Sequence, residues 1–168
     1  MELWDAYGQD GQPTGGVLER DTEIPAGLTH LISAVLVKHA DGSYLVMQRD
    51  FRKKYFPGML EAGASGAVLR GETPYAAALR ELREETGIRA DGLTFLFAKN
   101  NMRQAIIYYY LCLTDCDKNG VTLQEGETIA CQWLSGDAFE RLLHTPQQPY
   151  NLPWRWLPYL DEIKAFQG

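Results

Sequence analysis

Three glutamates, Glu81, Glu84 and Glu85, fall within five residues of a stretch that reads as helix. At about 100° per residue, Glu81 and Glu85 stand one turn apart, and Glu84 flanks them on the same face. Like charges at this spacing repel, costing a few tenths of a kcal/mol per pair on an exposed helix. Three together make physical sense when a positive charge sits among them. A hard divalent cation with oxygen ligands is the natural candidate. The plainer reading is a solvated amphipathic helix, with Tyr75, Leu79 and Leu82 as its apolar stripe and the charges on its wet side.

The glutamates belong to a longer pattern. Gly66, Glu72 and the run Arg80-Glu81-Leu82-Arg83-Glu84-Glu85-Thr86-Gly87-Ile88 satisfy G-x5-E-x7-R-E-U-x-E-E-x-G-U, with U aliphatic, at every fixed position. The stretch 66–88 thus resembles the Nudix box, and a weaker similarity to Nudix hydrolases runs from about residue 28 to residue 160. The resemblance implies a hydrolase of phosphoric anhydride bonds, which cleaves a diphosphate linked to another moiety with Mg2+ or Mn2+ as cofactor. It implies Glu81, Glu84 and Glu85 as metal ligands, joined by the backbone carbonyl of Gly66. It places Glu81 and Glu84 among the catalytic groups, with Arg80 and Glu72 behind them. The physics agrees. Mg2+ binds through a few carboxylates and takes phosphate oxygens as its remaining ligands. It neutralises a diphosphate and acidifies a water for attack on phosphorus. Gly66 has no Cβ, so its backbone can approach an ion closely. Arg80 can hold a carboxylate by a forked hydrogen bond.

These residues need a scaffold, and its punctuation is visible. Thr73 can cap a helix over 74–86, Pro74 suits its first position, and Gly87 suits a left-handed stop. Extended pieces are expected at 2–8 and 16–20, then strands at 30–37 and 44–48 joined by a turn at Asp41-Gly42. Residues 51–65 read as a loop, 66–69 as a short strand, and 93–99, 104–114 and 128–134 as further strands. Helices are expected at 136–143 and 154–166, the second opening near Pro153. Mixed strands with helices on either face predict an α/β (α+β) fold, a three-layer α/β/α sandwich with a mixed central sheet. The Nudix resemblance implies a similar fold. One domain is expected over 1–168.

The chain has 168 residues, 45% of them hydrophobic and 23% charged, an ordinary globular composition with enough length for a real core. A net charge of −6 argues against a nucleic-acid polymer as partner, because such binders need a basic surface. A small diphosphate substrate is compatible, since a cation and a few local basic residues override the global sign. Cys112, Cys116 and Cys131 are odd in number and lack metal-site spacing. No apolar run suggests a membrane span or a signal peptide, so a cytoplasmic protein is expected, with a homodimer plausible.

Arg49, Arg52, Lys53 and Lys54 cluster before the box, and Arg49 and Lys54 are the residues best placed to clamp a diphosphate. Glu127, ahead of the Trp133-Leu134 pair, matches a region where the family often carries a further acid. Asp115, Asp117, Asn119 and Gly120 start like a calcium loop, but Gly126 stands where the bidentate glutamate belongs, which favours a turn. His30 reads as a core histidine. Trp154, Trp156 and Tyr159 read as packing or a subunit contact in preference to a base-stacking platform.

Within the family, Asp10-Gly11-Gln12-Pro13-Thr14-Gly15, Leu28-Thr29-His30 and Lys53-Lys54-Tyr55-Phe56-Pro57-Gly58 resemble the branch of isopentenyl-diphosphate isomerases and their hydrolase relatives. The isomerases need a cysteine just before the box glycine and a histidine just after it. This chain has Ser65 and Ala67. Their later glutamate pair has no counterpart in the run Arg103 to Tyr108. Alkene protonation would lack its agents, so a hydrolase is expected. Isomerisation and a non-catalytic binding module are the alternatives.

Overall fold

One strand, Leu28–His39 (β3), organises the sheet. Its apolar run pairs in parallel with Ala105–Thr114 (β8) from His30↔Ala105 to His39↔Thr114. Its opposite edge is shared in series by three antiparallel segments. Leu3–Gly8 (β1) takes residues 28 and 29, Ala64–Ala67 (β6) takes 32–35, and Tyr44–Arg49 (β4) takes Lys38. Pro13–Glu19 (β2) pairs with β1, and Thr94–Asn101 (β7) extends the sheet beyond β8. Leu60–Ala62 (β5) and Thr128–Leu134 (β9) flank β4. The computed structural model describes residues 1–101, 104–145 and 153–166.

The sheet is mixed and covered on both faces, as expected. Alternation along β3 sends Val35 and Val37 to one face, where Leu45, Met47 and Tyr110 meet Ala78 and Leu82 of helix Pro74–Thr86 (α1). Leu36 goes to the other face, with Tyr44, Val46 and Tyr109. There the cover is Phe139 and Leu143 of helix Gly136–His144 (α2), with Trp156 and Ile163 from the C-terminal segment. These two layers of side chains enclose the sheet in a three-layer α/β/α sandwich.

Two expectations on elements are corrected. The loop over 51–65 contains β5 and the start of β6. Leu60-Glu61-Ala62 is too short to show periodicity, and its strand state comes from the edge that β4 offers. The C-terminal helix over 154–166 is instead a 3₁₀ stretch, Pro153–Tyr159, followed by a short helix, Leu160–Ala165 (α3). Pro158 cannot donate within an α-helix, which breaks the regular run. The side chain of Trp154, like residue Arg103, lies outside the described residues. Trp156 is buried edge-on to Tyr109, and Tyr159 stacks on Phe97, so both are packing residues. Asp117 caps a 3₁₀ turn at Lys118–Gly120 by accepting from the Asn119 amide, which is the turn expected there.

Candidate active site

The α1 helix begins and ends where its sequence dictates. Thr73 Oγ1 accepts from the Ala76 amide at 3.2 Å, and Gly87, at φ 75°, donates its amide to the Arg83 carbonyl. Ser33 Oγ on β3 donates to the Pro74 carbonyl at 2.6 Å, fastening the helix start to the sheet. The expected apolar stripe is only partly right. Leu82 is fully buried, but Tyr75 is exposed, and the remaining buried face is Ala77, Ala78, Glu85 and Thr86. Two of the three helix carboxylates therefore turn inward and not to the wet side.

Glu85 is 4% exposed and accepts from the Ser65 amide at 3.1 Å. Burial, with the charges of Glu61 and Glu81 added, holds its carboxyl well above the ordinary range. Glu81 lies against Gly66 on β6, and a Cβ at Gly66 would overlap its carboxylate. Burial raises the Glu81 pKa, although Arg80 pulls the other way. Glu84 stands at the rim with nearly half of its side chain exposed.

Arg80 ties the cluster together. Its Nε and Nη2 grip Glu72 at 3.0 and 2.9 Å, and Nη2 also donates to the Ala67 carbonyl at 3.0 Å. Its Nη1 reaches Glu81 at 2.5 Å and Glu84 at 3.3 Å. Glu72 also accepts from the Leu69 amide, and these bonds lower its pKa against the effect of burial. The sequence-derived set Gly66, Glu72, Arg80, Glu81, Glu84 and Glu85 is thus brought together.

The residues expected to meet substrate are placed differently. Each basic residue of the 49–54 cluster is paired with an acid: Arg49 with Glu61, Arg52 with Asp50, Lys53 with Glu127 and Lys54 with Asp21. Arg49 is largely buried, with Nη1 on Glu61 at 2.5 Å and Nη2 on the Tyr55 carbonyl at 3.3 Å. Glu127 lies close enough for its charge to act on Glu81 and Arg49. Lys54 is exposed and reaches Asp21 at 2.7 Å. His30 is buried and stacks on Trp4 with ring centroids 4.2 Å apart, a core placement.

The N-terminal strands stand where they were expected, but sequence reasoning missed Glu61 and the contact of β1 with the turn before α1. Glu61 is 8% exposed and takes a hydrogen bond from Ser65 Oγ as well as from Arg49. The β1 strand holds the turn between β6 and α1: Arg70 donates its amide to the Leu3 carbonyl, and Gly71 to Asp5 at 2.7 Å. The Arg49–Glu61 bond and the bonds from Arg70 and Gly71 to β1 join segments that the sequence alone does not pair.

Among the described residues, no three Asp, Glu, His or Cys side chains converge closely enough to hold an ion. Arg80 and the Ser65 amide occupy the oxygens that would have to turn toward one. The donor chemistry nevertheless fits a hard divalent cation. The donors are all oxygen, and the space that a Cβ at Gly66 would fill holds the Glu81 carboxylate. Glu61, Glu81 and Glu85 also bury mutually repelling charge around the same point. No helix among the described residues is long and apolar enough to cross a membrane.

Comparisons with known proteins agree with this geometry. The NUDIX domain family matches residues 28–155. An uncharacterised Nudix hydrolase of Listeria monocytogenes, lmo0368, is 28% identical over 166 residues, covering 98% of this chain and 96% of that protein. An isopentenyl-diphosphate delta-isomerase of Corynebacterium diphtheriae is 30% identical over 83 residues, 49% of this chain and 45% of the isomerase. In fold alone, the crystal structure of DR0079 from Deinococcus radiodurans is similar, with a TM-score of 0.74 at 18% identity, covering 96% of this chain and 98% of that one. With an intact box on a sheet of this topology, and a family match over most of its length, the chain belongs to the Nudix hydrolase family.

Proposed function

We propose that the protein is a Mg2+- or Mn2+-dependent hydrolase of a small diphosphate compound, a nucleoside diphosphate linked to another moiety. The observation that carries this reading is the inward turn of Glu81 and Glu85, buried against Gly66 and Ser65 where a solvated helix would expose them. A bound divalent cation would supply neutralisation of the diphosphate and a more acidic water. Glu81, Glu84, Glu85 and the Gly66 carbonyl would hold it. Arg80 bridges Glu81 and Glu84 through Nη1, and Glu72 keeps Arg80 in place. Glu84, the most exposed of the three, is the group we assign to take a proton from water. Arg49 and Lys54 would meet the diphosphate by giving up part of their present pairing with Glu61 and Asp21, and Glu127 would border the substrate. An action on small molecules in the cytoplasm fits the acidic net charge.

Isomerisation has less support. Ser65, at the position of the isomerase cysteine, donates its hydroxyl to Glu61, and Ala67 offers no ligand atom. The test is a panel of diphosphate compounds with Mg2+ and with Mn2+, read as phosphate released after phosphatase coupling. Glu84→Gln and Glu85→Gln should lower kcat by about 100-fold or more with the circular dichroism unchanged. Mutant rates within threefold of wild type, or an allylic diphosphate as product, would remove the reading.

A further inference from the structure

Glu61 is the buried charge at this site for which the box gives no reason. It sits on β5 at 8% exposure, on the strand edge facing β4. One carboxylate oxygen takes Arg49 Nη1 at 2.5 Å, and the other takes the Ser65 hydroxyl. Ser65 in turn gives its amide to Glu85 at 3.1 Å, and the next peptide belongs to Gly66. A third carboxylate beside Glu81 and Glu85 makes the cluster costlier to bury, and the Arg49 partner offsets that cost. A chain of contacts therefore runs from Arg49 through Glu61 and Ser65 to two of the groups assigned to the cation.

Resting on the hydrolase reading above, we propose that Glu61 is a positioning residue: through Ser65 it sets the Glu85 carboxylate and the Gly66 carbonyl at the spacing a divalent cation requires. It touches neither cation nor substrate. Groups that orient a ligand in this way typically govern metal affinity by 10- to 100-fold. A residue that served stability alone would change melting and leave the affinity of the folded protein untouched.

The test is Mn2+ binding by the full metal-free chain, without substrate, with free Mn2+ read by electron paramagnetic resonance. Glu61→Gln keeps the shape of the side chain and should weaken Mn2+ binding by about tenfold or more. Ser65→Ala should weaken it in the same direction. Combined with Glu61→Gln it should add little, because the two act along one path. The pair Arg49→Met with Glu61→Leu replaces the ion pair by apolar volume and should melt near wild type. It too should bind Mn2+ weakly, and it decides the matter where Glu61→Gln fails to fold. Affinity within threefold of wild type in the folded pair, or in folded Glu61→Gln, overturns the proposal alone. Failure of the wild type to bind Mn2+ overturns the metal reading and this proposal with it.

Discussion

Replacing Gly66 by alanine should separate stability from chemistry. Gly66 is not among the residues with positive φ, so alanine fits its backbone without strain. Gly→Ala at a compatible position stabilises by roughly 0.4–1 kcal/mol through the unfolded chain. In a domain of this size that is worth about 1–4 °C in Tm. The nearest atoms to the new methyl group belong to the carboxylate end of Glu81, a flexible group that can swing away. Restoring ordinary contact distance requires that carboxylate to move by roughly 1.5 Å. A displacement of that size at a reacting centre costs about 100-fold in rate, about 2.7 kcal/mol. Differential scanning calorimetry should therefore show Gly66→Ala at or above the wild-type Tm, while steady-state kinetics with Mg2+ show kcat down by about two orders of magnitude. Hydrolysis within threefold of wild type would refute the argument that Glu81 needs the space beside Gly66.

Other expectations follow from the same structure. Burial holds the His30 pKa down to about 4, below the ordinary histidine value of 6.5. The unfolded chain therefore binds the proton more tightly, and stability falls as pH drops from 6.5 towards 4. The loss attributable to His30 is about 2 kcal/mol at pH 5. His30→Phe keeps an aromatic ring against Trp4, and urea titrations at pH 5 and pH 7.5 should show a smaller acid loss in that variant. An equal loss in both proteins would exclude His30 as the cause. Arg80→Lys keeps the charge and loses the fork on Glu72, so kcat should fall by roughly 10- to 100-fold with little change in Tm. A rate equal to wild type would show that the fork is idle. Glu85→Gln removes repulsion with Glu61 and Glu81 while its amide oxygen still accepts from Ser65. Metal-free Tm should rise by about 2 °C or more as activity is lost, and a fall in Tm would contradict the repulsion argument.

The helix that carries the box was legible down to its caps, because Thr73, Pro74 and Gly87 act on their own neighbours. The long strands were legible from their apolar runs. Glu61 was not, since a lone glutamate between Leu60 and Ala62 has no periodicity. Its partners lie 12 residues back, at Arg49, and 4 residues on, at Ser65. The pairing of Lys54 with Asp21 and of Lys53 with Glu127 spans 33 and 74 residues, beyond any local pattern. The inward turn of Glu85 also escaped a reading by polarity. Charge predicts a wet face, and only packing against β6 shows otherwise. The broken C-terminal helix is the opposite case: Pro158 was in view, and a helical pattern over 154–166 should have yielded to it.

The β3 strand serves as a measuring rod. Along one side it is locked to β8 for ten consecutive rungs, so it has no freedom to slide. Along the other side it receives the N-terminal ribbon, the segment bearing Gly66 and the first strand of the next hairpin, each on its own stretch. These pieces take their relative heights from the rod and not from the chain that links them. The connecting loops are then at liberty to grow, shrink or change composition while the distance from Gly66 to α1 stays as it is. Variation in what the protein accepts and constancy in what it does to it can thus be inherited separately. A single residue deleted within the rod would forfeit both at once, turning every later side chain to the wrong face.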